Sequence, residues 1–135
     1  MKNEKLCVFK LHHIDIWINN VEESIRFYSY LGFNKIKEID KKELNKKFIF
    51  MEKDNVLLEM KYHYSNDCQH NNVKCSDNKV FGLSVENIED AKEFVESNNL
   101  VDQEIIIDYG ILGNKYFIIK DPNGINIEFI EDRGV

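Results

Sequence analysis

Leu11-His12-His13-Ile14-Asp15-Ile16-Trp17-Ile18 leads through Asn19 into Asn20-Val21-Glu22-Glu23, and the whole stretch reads as a strand running into a helix. Ile14, Ile16 and Ile18 fall on one side of the alternation and His13, Asp15 and Trp17 on the other, the period-two pattern of a half-buried strand. Asn20 stands where a helix cap is wanted, with an acidic residue, Glu23, at the third helical position. Ile25, Phe27, Tyr28 and Leu31 give the helix an apolar side, and Gly32 is its natural stop. Three further strands are expected over residues 34–40, 47–51 and 55–62.

The same order returns in the second half. Residues 79–85 alternate, Asn87-Ile88-Glu89-Asp90 repeats the cap, Ala91, Phe94 and Val95 form an apolar stripe, and Asn98-Asn99 ends the helix. Strands are expected over 104–108, 115–120 and 125–130, with Asp121-Pro122-Asn123-Gly124 as a turn in which Pro presets φ and Gly accepts a positive one. Asn20 and Asn87, Glu22 and Glu89, and Phe27 and Phe94 are each 67 positions apart, and Glu59 and Glu128 are 69 apart. A shared order with a nearly constant offset predicts an α+β fold of two βαβββ modules in tandem, about 8–64 and 79–132, joined by a polar connector, 65–78.

The rest of the composition narrows the class. The chain has 135 residues, 43% of them hydrophobic, which suits one domain with its own core. A formal net charge of −6 argues against nucleic acid as a partner, and no apolar run is long enough for a membrane helix. The opening is interrupted by Lys10, His12, His13 and Asp15, unlike a secretory leader, and Cys7, Cys68 and Cys75 are too sparse for a disulfide scaffold. A cytoplasmic setting is the expectation.

Strand parity sorts the candidates for chemistry. His13, Glu59 and Glu128 all fall on the face opposite the one that the helices must cover, Glu59 and Glu128 at matching places in the repeat. One imidazole and two carboxylates suit a divalent metal such as Mn, Fe, Ni or Zn, and the two carboxylates are also acid–base candidates. The plain alternative is a solvated strand face. His12 falls on the opposite parity, as an edge or core histidine, and Trp17 reads as wall. Lys41, Lys42, Lys46 and Lys47 read as a solvated hairpin.

Leu11–Ile18 with Val21-Glu22-Glu23-Ser24-Ile25-Arg26-Phe27-Tyr28 and Leu31-Gly32-Phe33 resembles the opening of the vicinal oxygen chelate superfamily. Phe81-Gly82-Leu83-Ser84-Val85-Glu86-Asn87-Ile88 is similar to the start of its second module, and Lys120-Asp121-Pro122-Asn123-Gly124 with Ile125-Asn126-Ile127-Glu128-Phe129 to its closing strand pair. The resemblance is closest to the glyoxalase I-like and bleomycin- or fosfomycin-resistance-like branches. It implies paired modules forming a curved mixed sheet around a cavity, and a homodimer. It also implies that His13, Glu59 and Glu128 are metal ligands, with the remaining family ligand position falling on Val80, which coordinates nothing. His63, His70 and Cys75 are the candidates to replace it. An Arg and an Asn that help hold glutathione in glyoxalase I-like enzymes fall on Trp17 and His63, so a glutathione substrate is not expected.

Two functions follow from the resemblance. The first is a glyoxalase I-like, metal-dependent lyase or isomerase acting on a small oxygen-rich substrate, with Glu128 and Glu59 moving the proton and His13 a fixed ligand. The alternative is a metal-free small-molecule (antibiotic) binding protein of the bleomycin-resistance type, and Val80 favours it. An extradiol-type oxygenase is disfavoured, because that centre uses two histidines and one glutamate.

Overall fold

The computed structural model describes residues 5–8, 10–65 and 79–132. The elements run β1 (Ile14–Ile18), α1 (Val21–Tyr30), β2 (Asn34–Lys41), a 3-10 turn (Lys42–Leu44), β3 (Lys46–Lys53) and β4 (Val56–His63). The second set is β5 (Lys79–Val85), α2 (Ile88–Ser97), β6 (Asp108–Tyr109), β7 (Lys115–Lys120) and β8 (Asn126–Glu131). They build two four-stranded sheets with the same internal order, β1-β4-β3-β2 and β5-β8-β7-β6. In each sheet the first strand lies parallel to the last of its module, and the other neighbours are antiparallel. The repeat read from the sequence is thus a repeat of topology, one mixed sheet per module. Cys68, His70, Cys75 and the connector from residue 66 to 78 lie outside the described residues. No helix among the described residues is long and apolar enough to cross a membrane.

Both helices start as their caps dictate. The Asn20 side chain accepts a hydrogen bond from the Glu23 N–H at 2.9 Å, and Asn87 accepts one from the Asp90 N–H at 2.9 Å. Acidic residues fill both first turns, where the helix dipole favours them. Gly32 closes α1 with φ 96°, and Asn99 follows α2 with φ 51°, a left-handed position that asparagine tolerates better than most residues.

The core forms where one face of each sheet meets its helix. Ile16, Ile18, Ile49, Met51, Leu58 and Met60 are buried with Phe27 and Tyr28 of α1. Phe117, Ile119, Ile127 and Phe129 are buried with Ile88 and Val95 of α2. The expected stripe of α2 is only partly right: Phe94 is 45% exposed and packs against Tyr30 of α1 at a centroid distance of 6.2 Å. It lies on the rim of a cleft of about 590 Å³ between the modules, which Ile14, Phe33, Leu83 and Val85 also line.

The strand expected over 104–108 is the clearest departure. Only Asp108 and Tyr109 pair with β7, opposite Tyr116 and Lys115. Alternation is kept, with Ile105 buried between exposed Glu104 and Ile106, yet the backbone there forms no ladder. Gln103 explains why. Its side-chain amide donates to the Ile118 carbonyl at 3.2 Å and accepts from the Lys120 N–H at 3.2 Å, taking edge groups of β7 that a neighbouring strand would use.

One turn ties the modules together. Asp121 is buried and its carboxylate accepts from the N–H groups of Asn123 and Ile125 at 2.8 and 2.9 Å, while Gly124 takes φ 84°. The Tyr28 hydroxyl of α1 donates to the same carboxylate at 2.7 Å, and the Asn19 N–H donates to the Asn123 side chain at 2.7 Å.

Candidate functional site

The helices cover only one face of each sheet. On the other face of the first sheet, β1 and β4 run in a parallel register that sets Asp15 opposite Glu59 and Trp17 opposite Lys61. β3 adds Phe50 opposite Glu59 and Phe48 opposite Lys61. His13, one step before β1, shares the parity of Asp15. Its Nε2 lies 3.4 Å from Asp15 Oδ1 and 3.9 Å from Glu59 Oε1.

His13, Asp15 and Glu59 therefore offer one ligand atom each, all within 4.8 Å of one another. One imidazole nitrogen and two carboxylate oxygens are a hard, borderline donor set that suits a divalent first-row ion, and the residues present fit such an ion. His12 supports the geometry rather than joining it. The Nδ1 atoms of His12 and His13 share a hydrogen bond of 2.8 Å, which turns the Nε2 of His13 toward the carboxylates. His12 is exposed, so the core placement is excluded and the edge placement holds.

Next to this group the face becomes basic and aromatic. Lys61 Nζ lies 3.7 Å from Asp15 Oδ1 and 3.7 Å from Glu59 Oε2, and 5.6 Å from the Trp17 ring centroid. The far side of the row is His63, stacked on Trp17 at 4.5 Å with 14° between the planes, and Lys46, whose Nζ is 5.9 Å from the Trp17 centroid. Burial, and then the charge of Lys46, lowers the His63 imidazole below its ordinary range, against an opposing hydrogen bond to the Asn45 backbone. The two positions where the resemblance puts glutathione-holding side chains are thus packed against each other.

Glu128 is placed differently. It stands in β8 of the second sheet, half-buried, opposite Gly82 and Ile118. Glu59 has Asp15 and Phe50 as its neighbours at the same point of the first sheet. The equivalence expected from the repeat is a real equivalence of place, but within the chain it does not bring the two carboxylates together. Among the described residues the one group able to hold a metal is His13, Asp15 and Glu59, without Glu128 and without His63. By the same register the counterpart of Asp15 is Gly82 and that of His13 is Val80, which falls at the register shift between Lys79 and Phe81. The second module retains one carboxylate where the first has a three-residue group. None of His13, Glu59 and Glu128 lines the 590 Å³ cleft, which opens on the helix side.

Asp15 and Lys61 were not singled out in the sequence as functional. The signal for Asp15 was present, since it shares the parity of His13 two positions away. That for Lys61 needed the register, which alone puts its ammonium between two carboxylates.

Known proteins place the chain. No curated protein matches it. Among solved structures, a glyoxalase family protein from Enterococcus faecalis has a TM-score of 0.73 at 22% identity, covering 90% of this chain and 97% of that one. The trypanothione-dependent glyoxalase I of Leishmania major has a TM-score of 0.69 at 20% identity, covering 91% and 86%. A glyoxylase/bleomycin resistance protein/dioxygenase domain from Frankia sp. EAN1pec has 0.69 at 13% identity, covering 96% of both chains. At these identities the likeness is one of fold. Residues 10–129 match the profile of one family, and the chain belongs to it: the Glyoxalase/Bleomycin resistance protein/Dioxygenase superfamily.

Proposed function

We propose that the protein is a glyoxalase-like, metal-dependent lyase or isomerase that acts on a small oxygen-rich substrate without glutathione. The observation that carries this reading is the His13–Asp15–Glu59 group, its ligand atoms within 4.8 Å of one another on the uncovered face of the first sheet. A divalent ion (Ni, Zn, Mn or Fe) held by His13 and Glu59, with Asp15 beside them, would polarise adjacent oxygens of a substrate and favour negative charge developing on them. His13 is a fixed ligand, oriented by His12. Trp17, Phe48 and Phe50, all half-buried on this face, hold the substrate and keep water from it. Glu128, a further ligand of the ion and, with Glu59, the proton-transfer base, is brought to the site by a second copy of the chain. Support for a homodimer comes from the half-buried Tyr116, Ile118 and Ile130, which share the uncovered face of the second sheet with Glu128.

The alternative, metal-free binding of a small molecule of the antibiotic type, is favoured by Val80 at a family ligand position. Metal analysis of the purified protein separates the two. The enzyme reading expects about one Ni, Zn, Mn or Fe ion per chain, lost in His13→Ala and Glu59→Gln. A wild type that carries none and takes up none on titration leaves only the binding protein.

A further inference from the structure

We infer that Lys61 is the built-in counter-ion of the site, its ammonium shared by the Asp15 and Glu59 carboxylates, so that a divalent ion must compete with it for them. The inference rests on the metal reading above, and concerns what that metal must overcome. β1 and β4 set Asp15 and Glu59 directly opposite each other on one face. Like charges in that relation destabilise a strand pair unless a cation lies between them. Lys61 supplies it, with Nζ 3.7 Å from an oxygen of each carboxylate. Its other neighbour is an aromatic face, Trp17, at 5.6 Å from the centroid. The ammonium thus has a place of rest when it is driven off the carboxylates, because a cation over an indole is itself stabilised.

Two consequences follow. Without metal, Lys61 offsets the repulsion between Asp15 and Glu59 across the β1–β4 pair. With metal, the site holds two positive centres side by side, and repulsion between them lowers the affinity for any divalent ion. Lys61 is therefore a residue that sets the threshold for metal uptake. It is not a ligand.

Zn(II) is the probe, because its filled d shell does not quench fluorescence by itself, and Trp17 is the one tryptophan of the chain. Isothermal titration of metal-stripped protein should show Lys61→Met binding Zn(II) about tenfold more tightly than wild type, since a neighbouring positive charge has gone. Lys61→Arg keeps the charge and should stay near wild type. Wild-type Trp17 emission should change on saturation with Zn(II), as the ammonium is pushed off the carboxylates and closer onto the ring it already faces, and the change should be absent in Lys61→Met. In chelator, Lys61→Met should melt below wild type and gain more from added Zn(II). Wild type and Lys61→Met binding Zn(II) equally well would overturn the counter-ion role while leaving the metal reading in place. No Zn(II) uptake by either, or uptake that survives His13→Ala, would overturn both.

Discussion

At the scale of single residues, what the sequence could disclose was direction. Successive side chains of a strand point to opposite faces, so His13, Asp15, Trp17, Glu59, Lys61 and Glu128 could be assigned to the face away from the helices without coordinates. Which of them touch was not legible, because that depends on the register of β1 against β4, two strands that α1, β2 and β3 separate in the chain. Trp17 and His63 show the difference. Neither sequence position hints that the two rings stack at 4.5 Å. That stack has a measurable titration. Burial, then the charge of Lys46, holds the His63 imidazole below its ordinary 6.5, and its Nδ1 is buried without a hydrogen-bond partner. A histidine with a lowered value binds fewer protons folded than unfolded, so its contribution is intact above 6.5 and is lost as the pH falls beneath it. Melting temperatures followed from about pH 8 to about pH 5 should therefore fall more steeply for wild type than for His63→Phe, which keeps a ring on Trp17 but cannot be protonated. Parallel profiles would mean that His63 stays neutral in both states.

Elements were legible wherever local chemistry starts or stops them. Both Asn caps, the Gly32 stop and the Asp121 turn depend on residues within a few positions of each other. The strand over 104–108 was misread for the opposite reason: its alternation is genuine, but Gln103 had already taken the edge of β7. The latch between α1 and the β7–β8 turn was equally invisible, since Tyr28 and Asp121 lie in different modules. Its strength can be argued from the bonds. Burial, then the charge and hydrogen bond of Asp121, push the Tyr28 phenol above its usual range, so it remains a donor throughout the working pH. Tyr28→Phe removes that donor from a buried carboxylate and should cost about 1–3 kcal/mol in urea unfolding. Asp121→Ala should cost more, because it strands the Tyr28 hydroxyl and the N–H groups of Asn123 and Ile125 together. Neutral results for both would show that the turn is held by its backbone alone.

The whole molecule turns on the relation between the copies of the repeat. The offset between Glu59 and Glu128 was readable, and so was the tandem βαβββ order, because a repeat is a property of the string. How the two sheets would face each other was not, since nothing local to either carboxylate encodes the distance between them. The chain as folded keeps Glu128 on the second sheet, outside the His13–Asp15–Glu59 group. If a second copy brings Glu128 to that group, each site draws on two chains, and two separately damaged proteins should repair each other. A mixture of His13→Ala and Glu128→Gln, unfolded together and refolded in equal amounts, forms mixed dimers in which one site carries both changes and the other carries neither. Half the dimers are then mixed, and about a quarter of the wild-type tight Zn(II) sites should return, although each variant alone has few or none. Dilution below the dimer's dissociation constant should abolish them. Should Glu128 instead serve the site of its own chain, every site in the mixture would carry one lesion and mixing would restore nothing. The recovered quarter therefore reads out directly which chain the second carboxylate belongs to.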